Sequence, residues 1–404
     1  MSHILFVNVA QRGHVYPTLT TVTELVRRGH SVSYTSTSEL AGQIEAAGAE
    51  VVPYTSAITP ENTAEAFARD DGSAAHMLYL AENAAILRAA RAGTAPQPPD
   101  LVVYGDFPII AGQVLAHRWR RPAVRTSAAF ASDERYSFSR DLVESAGFED
   151  PLTVPRFRER LAALLAEEGL GVSAEECWNR VEDSNLVFLP RSFQIAGEGF
   201  DERFAFVGPC LGDRGFLGSW KPPQGDPPVV LVSLGTTFGS RPEFFRECAR
   251  AFGGTPWHVV VTLGGHLSPE DLGPLPPNVE AHDWVSHQAV LEHARVCVTH
   301  GGMGTLMEAF SRGRPAVCVP HSPDVAPMVR QVGALSLGAV LPPGEADATK
   351  IREQVERVSQ DERILERVGR LRREIRSGGP SRAADALEDC LARSQRGPGA
   401  PRRT

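Results

Sequence analysis

The stretch that decides the fold is residues 295–324, which begin Arg-Val-Cys-Val-Thr-His-Gly-Gly-Met-Gly-Thr-Leu-Met-Glu-Ala-Phe (295–310) and end Gly-Arg-Pro-Ala-Val-Cys-Val-Pro-His-Ser-Pro-Asp (313–324). The apolar run at 296–298 predicts a buried strand, and a glycine-spaced turn that holds His300 follows it. A helix is predicted to begin near Met303 or Gly304, and a second buried strand follows. The free N–H groups and the positive dipole end of such a helix start bind anions. The stretch therefore predicts an anion site on an α/β fold.

The same alternation of strand and helix runs through both halves of the chain, which predicts parallel sheets with helices on both faces. The strands predicted for the first half are residues 4–10, 31–35, 50–53, 101–104, 123–127, 185–189 and 205–207, with helices at 17–28, 39–47, 74–91, 109–118, 154–168 and 174–181. The strands predicted for the second half are 229–234, 258–262, 279–281, 296–299, 316–319 and 339–341, with helices at 242–252, 349–376 and 381–393.

The length and a Pro/Gly-rich segment without periodicity predict two domains. We expect a first domain at residues 1–207, a linker at 208–228, a second domain at 229–393 and a disordered tail at 394–404. The last helix of the second domain is expected either to stay with that domain or to pack back on the first domain. The predicted fold class is α/β, with two Rossmann-like, doubly wound domains that face a cleft. Ligands of such sheets bind beyond the carboxyl ends of the strands.

Composition narrows the classes of function. The chain has 404 residues and a formal net charge of −8 from 41 basic and 49 acidic side chains, with no long basic block, which argues against nucleic acid as a partner. The sequence predicts no membrane span, and the N-terminus lacks the features of a signal peptide. The six cysteines show no CxxC spacing, so we expect a reduced, cytoplasmic protein. A homodimer is left open.

Two polar residues follow predicted strands of the first half. His14 lies in the turn after the first strand, and Asp106 follows the strand at 101–104. The ends of parallel strands share one edge of the sheet, so the two side chains can meet there. A carboxylate that accepts from one imidazole nitrogen raises the basicity of the other, which predicts a general base aimed at a hydroxyl group. A solvent-facing or capping histidine and an N-cap aspartate remain alternatives.

Polar residues also follow strands of the second half. Residues 233–237, Ser-Leu-Gly-Thr-Thr, end a strand with hydroxyl groups beside a glycine, which suits either a phosphate or a simple turn. Trp284 precedes a predicted helix, where its ring belongs to the core or stacks on a base. Gly304 and Glu308 share one helix face, so a ligand that approaches the glycine can reach the carboxylate, and a solvated glutamate is the alternative.

Other motifs are missing from the sequence. No GxGxxG follows the first strand, which disfavours an NAD-dependent enzyme, and there is no Walker sequence, GxSxG elbow or HExxH. His300, Glu308, His321 and Asp324 have an irregular spacing that matches no recognised metal site. We therefore expect neither a metal nor a bound cofactor.

Together these features resemble the inverting glycosyltransferases with two Rossmann-like domains, the GT-B fold, and in particular the bacterial macrolide and enediyne type that glycosylate natural products. The resemblance covers essentially the whole chain. It rests on the Gly13-His14 turn, on Ser-Leu-Gly-Thr at 233–236, on Trp284-Val285, and on Thr-His-Gly-Gly-Met-Gly-Thr at 299–305 followed by Glu308.

The resemblance implies a role for each matched residue. His14 would deprotonate the acceptor with support from Asp106, and a sugar would be transferred with inversion from a nucleotide diphosphate without a metal. Within the donor site, Trp284 and Val285 would hold the base, and Glu308 the ribose. The full set of implied donor-binding residues is Ser233, Gly235, Thr236, Trp284, Val285, His300, Gly301, Gly302, Met303, Gly304, Thr305, Glu308 and Asp324. His300 and residues 302–305 would face the diphosphate, and Asp324 the sugar.

The first half would then bind the acceptor, a natural-product aglycone such as a macrolide, an enediyne or another polyketide. Its irregular segments 55–91 and 130–148 carry aromatic and apolar side chains, which are typical either of an aglycone pocket or of ordinary loop packing. The candidates for acceptor contacts are Phe67, Met77, Phe107, Phe130 and Tyr136.

Two positions depart from the family's pattern. Asp324 is followed by Val325, where the family often has glutamine, and Trp284-Val285 is followed by Ser286-His287, where it often has Pro-Gln. The missing amide beside the sugar favours a deoxygenated or otherwise modified sugar, and we expect a dTDP-sugar rather than UDP-glucose as the donor.

Two other functions are compatible with the same fold. A nucleotide-sugar epimerase would need further acid/base carboxylates around the sugar. A non-catalytic partner of another glycosyltransferase would be expected to lose the base and the donor glycines, and this sequence has both.

Overall fold

The structure is a computed structural model that describes residues 1–59, 62, 73–94, 97–212, 219–235, 241–265 and 267–396. In this part of the chain the strands are β1 (His3–Val7), β2 (Ser31–Ser36), β3 (Glu50–Pro53), β4 (Leu101–Gly105), β5 (Ala123–Ser127), β6 (Asn185–Val187), β7 (Phe204–Phe206), β8 (Val229–Ser233), β9 (His258–Thr262), β10 (Val279–His282), β11 (Ala294–Thr299), β12 (Ala316–Cys318) and β13 (Gly338–Val340).

Helices alternate with these strands. The described α-helices are α1 (Arg12–Arg27), α2 (Ser38–Ala46), α3 (Ser73–Gly93), α4 (Ile109–Trp119), α5 (Phe138–Ala146), α6 (Pro155–Glu167), α7 (Ala174–Trp178), α8 (Pro242–Phe252), α9 (His287–His293), α10 (Met303–Ser311), α11 (Ala326–Ala334), α12 (Ala348–Gln360), α13 (Glu362–Ser377) and α14 (Pro380–Arg396).

The chain divides into two compact units, one made of Met1–Leu211 and Gly378–Thr404 and the other of Gly212–Ser377. The last helix, α14, belongs to the first unit. Its Ala383 and Leu387 share a buried apolar cluster with Val22 of α1. Arg28, which follows α1, pairs with Glu388 of α14 at 2.7 Å. Apolar burial and this ion pair together hold the C-terminal helix against the first unit.

The sheet of the first unit is parallel throughout, in the order β3-β2-β1-β4-β5-β6-β7 for the described strands. In β1, Ile4 lies opposite Val32 on one side and Leu101 on the other. All three side chains are buried, as is usual in a parallel sheet covered on both faces. The strand order reverses direction between β1 and β4, which makes this the switch point at which ligands bind.

The second unit repeats the arrangement. Its described strands are parallel in the order β10-β9-β8-β11-β12-β13. Every residue of β8 is buried, and its Leu231 lies opposite Val260 of β9 and Cys297 of β11. The switch point of this sheet lies between β8 and β11. The fold class predicted from the sequence, two Rossmann-like α/β domains, is therefore confirmed.

Several predicted element boundaries are wrong. Helix α1 begins at Arg12 rather than at Pro17, because its buried face of Val15, Val22 and Leu25 stabilises a helix that includes the proline. The segment at 138–146, predicted to be irregular, is helix α5, which the Ser137 side chain caps by accepting from the Arg140 N–H.

Two further corrections concern the C-terminal helices. The single helix predicted at 349–376 is two helices, α12 and α13, that meet at Asp361. The backbone of Asp361 is extended, and its Oδ1 accepts from the N–H groups of Arg363 and Ile364 at 3.0 and 3.2 Å. Residues 394–396, predicted to be disordered, continue α14; the rest of that predicted tail lies outside the described residues.

The length and polarity of each helix decide whether it could cross a membrane. Among the helices that the structure describes, none is long and apolar enough to cross a membrane.

Replacing Asp361 with alanine removes the N-cap of α13. We expect the free energy of unfolding of the second unit to fall by about 1 kcal/mol, which lowers its thermal midpoint by about 2–4 °C. Scanning calorimetry measures this change, with Glu353→Ala on the exposed face of α12 as a control that leaves the midpoint in place. An unchanged midpoint for Asp361→Ala would show that the break between the helices does not depend on this cap.

Candidate active site

A first group of polar residues lies beside the switch point between β1 and β4. His14 is in the first turn of α1, where its backbone N–H donates to the Gln11 carbonyl at 3.0 Å. Its own carbonyl accepts from the Nδ2 of Asn8, a buried residue just beyond β1, at 2.9 Å. These two bonds fix the histidine at the carboxyl edge of the sheet.

Asp106 follows β4 at the same edge. Its Oδ1 accepts from Arg125 Nε at 2.8 Å and from Ser127 Oγ at 3.1 Å, both on the neighbouring strand β5. The structure shows no hydrogen bond between Asp106 and His14 in the described residues, and the carboxylate acts on the histidine by favouring its protonated form. Helix α4 has no side-chain cap at its start, so Asp106 does not serve as the N-cap that the sequence left open.

The protonation of His14 follows from these surroundings. Burial lowers the pKa of the imidazole, and the Asp106 carboxylate opposes this shift only in part. His14 is therefore neutral at neutral pH. A neutral imidazole has a free lone pair and can accept a proton.

Aromatic side chains pack beside His14. The ring of Phe107 meets that of His14 edge-on, with 6.2 Å between centroids. Tyr79 of α3 lies 4.8 Å from Phe107 and 5.4 Å from Trp178. Met77, also on α3, is half-buried against the same apolar cluster. Of the predicted acceptor residues, Phe107 thus lies beside His14, and Met77 packs against the apolar cluster that Tyr79 and Trp178 also contact.

The other predicted acceptor residues are placed differently. Phe130 is 1% exposed and has ring centroids 5.8 Å from both Phe138 and Phe193, so it belongs to the packed interior rather than to a pocket wall. Tyr136 is half-buried, and its hydroxyl donates to Asp141 Oδ2 at 2.9 Å. Phe67 lies outside the described residues.

A second group of polar residues lies beside the switch point between β8 and β11. The backbone at Gly235 and Gly302 approaches the imidazole of His300 closely. A Cβ atom added to Gly235 would lie 2.6 Å from His300 Cε1, and one added to Gly302 would lie 2.5 Å from Nε2. Both glycines are therefore required for the ring to keep its position. The buried Ser233 ends β8 and accepts from the Gly235 N–H at 3.2 Å, while Thr236 lies outside the described residues.

Helix α10 begins directly after this imidazole. Its N-cap Gly302 offers no side-chain hydrogen bond, so the N–H groups of the first turn stay available to a ligand. Gly301 has a φ of +99°, which glycine adopts without strain. A Cβ atom on Gly304 would meet no described atom within 4 Å, whereas Met303 and Thr305 are buried. The helix start thus has open space on the side where an anion would bind.

One turn further along α10, Glu308 is 3% exposed. Its Oε2 is hydrogen-bonded to Nδ1 of His287, the first residue of α9, at 3.0 Å. The sequence analysis noted His287 only as a departure from a pattern and did not predict this pair. The bond fixes the orientation of the buried carboxylate.

Trp284 and Val285 have different surroundings. The Trp284 ring is half-buried, and a Cβ atom on Gly265 would lie 2.9 Å from its Cζ2, so backbone holds the ring in place. Val285 is 3% exposed and packs in an apolar cluster with Leu231 and Val260. Of this pair, only the tryptophan side chain can contact a ligand, and Val285 can do so only through its backbone.

Asp324 and His321 add charge and polarity near His300. Burial lowers the pKa of His300 to about 4, against the opposing effects of Asp324 and the Ser233 carbonyl. Burial, with Arg241 and His300, also lowers the pKa of His321 to about 4. Both imidazoles are therefore neutral at neutral pH. Within the described residues, His300 Nδ1, His321 Nε2 and Asp324 Oδ1 are buried without a hydrogen-bond partner, as expected for atoms that a ligand satisfies.

A metal site needs several His, Cys, Asp or Glu side chains close together. The part of the chain that the structure describes contains no group of three or more His, Cys, Asp or Glu side chains placed to hold a metal ion.

Arg125 is a site residue that the sequence analysis missed. A signal was present, because Arg125 is the single charged residue in the strand sequence Ala-Val-Arg-Thr-Ser of β5. A charged side chain in a central parallel strand requires a partner of opposite charge. The sequence shows that a partner is needed but not which of the many acidic residues supplies it.

Comparisons with known proteins identify the family to which the chain belongs. The family model described as "Erythromycin biosynthesis protein CIII-like, C-terminal domain" matches residues 253–389. The chain is 36% identical over 403 residues to demethyllactenocin mycarosyltransferase of Streptomyces fradiae, covering 97% of this chain and 87% of that protein. It is 34% identical to oleandomycin glycosyltransferase of Streptomyces antibioticus, covering 96% and 90%. The chain belongs to this family of glycosyltransferases.

Solved structures agree. The crystal structure of CalG4, the calicheamicin glycosyltransferase, is 49% identical and superposes with a TM-score of 0.90 over 97% of this chain and 99% of that one. The glycosyltransferase of kitacinnamycin, 36% identical, gives a TM-score of 0.85 over 96% and 99%. The resemblance inferred from the sequence is confirmed: the chain is a GT-B glycosyltransferase of the inverting, natural-product type.

Replacing Gly302 with alanine tests the anion site of the glycosyltransferase. The new methyl group would displace the His300 ring, and we expect the affinity for a nucleoside diphosphate to fall at least about tenfold. Isothermal titration calorimetry measures the affinity. Gly344→Ala is the matched control, because a Cβ atom there meets nothing within 4 Å. Unchanged affinity in Gly302→Ala would remove His300 from the donor site.

Proposed function

We propose that the enzyme transfers a deoxygenated or otherwise modified sugar from dTDP to a hydroxyl-type group of a polyketide aglycone, such as a macrolide or an enediyne, with inversion at the anomeric carbon. The first unit would bind the acceptor and the second the donor. The observation that carries the proposal is the half-buried His14 at the carboxyl edge of the first sheet, whose lowered pKa keeps the imidazole neutral. A base that is unprotonated at neutral pH is what acceptor activation requires.

The chemistry assigned to His14 is a single proton transfer. As the acceptor oxygen attacks the anomeric carbon, His14 takes the proton from the hydroxyl group. The bond between the anomeric carbon and the diphosphate oxygen breaks, and its electron pair leaves with the diphosphate. Because attack comes from the face opposite the leaving group, the configuration inverts. Phe107 and Tyr79 would shield the base from water and pack against the aglycone.

The leaving group would be stabilised at the start of α10. The free N–H groups of the first turn and the positive end of the helix dipole favour negative charge there. His300 is neutral in the unliganded protein, and a diphosphate beside it would raise its pKa and favour an N–H that donates to phosphate. This arrangement supplies charge stabilisation without a metal ion.

The sugar and the nucleoside are inferred from neighbouring residues. Val325 is 1% exposed and presents no amide beside Asp324, so a hydroxyl group at that position of the sugar would lack one partner. Glu308 already bonds to His287 through Oε2, which suits a deoxyribose that has one hydroxyl fewer than ribose. Trp284 would stack on the base. These contacts support dTDP over UDP.

We place this reaction in the cytoplasm. All six cysteines lie within the described residues, and each is free and buried. Free thiols are typical of proteins that work in a reducing compartment.

The role of His14 is tested by His14→Ala. Turnover is expected to fall by about 10²–10⁴-fold, while the affinity for dTDP, measured by calorimetry, stays unchanged. In the wild type, kcat/KM falls as acid protonates the base. Because burial lowers the pKa of His14, the midpoint of this fall lies below pH 6.5. His117→Ala, at the exposed end of α4, is the histidine control. Retained turnover in His14→Ala contradicts the role of the base.

Nucleoside selectivity is tested by competition binding of dTDP and UDP. We expect dTDP to bind more tightly, because the Glu308–His287 pair leaves less hydrogen-bonding capacity for a 2′-hydroxyl group. The His287→Gln variant should reduce the preference. Equal affinity of the wild type for the two nucleotides removes the support for a dTDP donor.

A further inference from the structure

Arg125 is an unusual residue for its position in the fold. It lies in the middle of β5, where it is opposite Tyr104 of β4 and Asn185 of β6. Its side chain is 14% exposed. A guanidinium in such a place is costly unless an acidic group balances it. The position therefore calls for a specific partner.

That partner is Asp106. Arg125 Nε donates to Asp106 Oδ1 at 2.8 Å, and Ser127 Oγ donates to the same oxygen at 3.1 Å. Two donors from one strand thus hold one carboxylate oxygen and set the orientation of the group. Burial lowers the pKa of Arg125, but the opposing effects, of which that of Asp106 is the largest, outweigh it, so the guanidinium stays charged.

Two further charged residues, Arg180 and Glu182, lie around this pair. Arg125 donates to the Arg180 carbonyl at 3.4 Å, and the Tyr104 hydroxyl donates to Glu182 at 2.6 Å. Arg180 and Glu182 pair with each other at 3.1 Å.

The tyrosines and the thiol that face Arg125 are neutral at neutral pH. Tyr79 and Tyr104 face Arg125, and burial raises the pKa of each above its ordinary value. Burial raises the pKa of Cys177, which also faces Arg125, to about 12. Among the described residues, Asp106 is the charged group that acts on His14. The balance between Asp106 and Arg125 therefore decides the charge beside His14.

The consequence for His14 follows from Coulomb's law. An unpaired carboxylate beside an imidazole favours its protonated form, whereas a carboxylate paired with a guanidinium has little net charge. With Arg125 in place, the Asp106 carboxylate raises the proton affinity of His14 less than it would alone.

We propose that Arg125 is a positioning residue of the active site: it orients Asp106 through Oδ1 and balances its charge, so that His14 stays unprotonated and ready to accept the acceptor proton. This inference rests on the proposed role of His14 as the base.

The pH dependence of kcat/KM tests the proposal. The acid limb is the fall of kcat/KM at low pH, as His14 becomes protonated. In Arg125→Met no cation balances the Asp106 carboxylate, which then favours the protonated form of His14, so the acid limb should move to higher pH by about one unit. In Asp106→Asn the cation is unbalanced, and the limb should move to lower pH. In the double variant both charges are gone, and the limb should return close to its wild-type position. Arg125→Lys keeps the charge and should keep the limb in place.

Arg121→Met is the matched control, because Arg121 is also an arginine of the first unit close to an aspartate, Asp100, at 3.7 Å. Its limb should match that of the wild type. A folded Arg125→Met variant whose limb does not move overturns the proposal, as does a double variant that keeps the limb of Arg125→Met. If Arg125→Met does not fold, the comparison of Asp106→Asn with the double variant decides, and equal limbs in those two overturn the proposal.

Failure of this inference is distinguishable from failure of the proposed function. If His14→Ala retains turnover, the base itself is misassigned. If His14→Ala is inactive but Arg125→Met leaves the acid limb of kcat/KM unchanged, only the role of Arg125 is wrong.

Discussion

When helices cover both faces of a parallel sheet, the ends of its strands are the main positions left for functional polar side chains. Both units of this enzyme follow that constraint. In the first, β1 and β4 lead to His14 and Asp106; in the second, β8 and β11 lead to Ser233 and His300. Each pair of strands flanks the point where the strand order reverses. Under the proposed function, the same architecture would present a proton acceptor in one unit and an anion site in the other.

Burial then determines what these groups can do. His14 and His300 both have lowered pKa values because of burial, and in each case a nearby aspartate opposes the shift. A neutral His14 can take a proton, whereas a neutral His300 becomes a better donor when a diphosphate binds beside it. In the proposed function, similar environments would serve opposite roles, and the difference would come from the ligand that each imidazole meets. Under the proposed function, these roles would distinguish the enzyme from a non-catalytic partner protein.

Much of this arrangement is predictable from the sequence, for physical reasons that differ between residues. Apolar runs such as that of β8 predict buried parallel strands, and the glycines around His300 predict a turn that a side chain would block. The partner of Asp106 was not predictable, because the register of β4 against β5 brings Arg125 to it only in the folded sheet. Phe130 was predicted to contact the acceptor, but it packs against two other rings. The sequence of an irregular segment does not show whether an aromatic side chain faces a ligand or the interior.

The most direct test of the account is the stereochemistry of transfer. The wild-type enzyme is incubated with an α-configured dTDP-deoxysugar and a panel of polyketide aglycones, and the products are analysed by mass spectrometry and NMR. The account predicts free dTDP together with a glycoside whose anomeric configuration is inverted. A glycoside of retained configuration, or an altered nucleotide sugar formed without any acceptor, would contradict it.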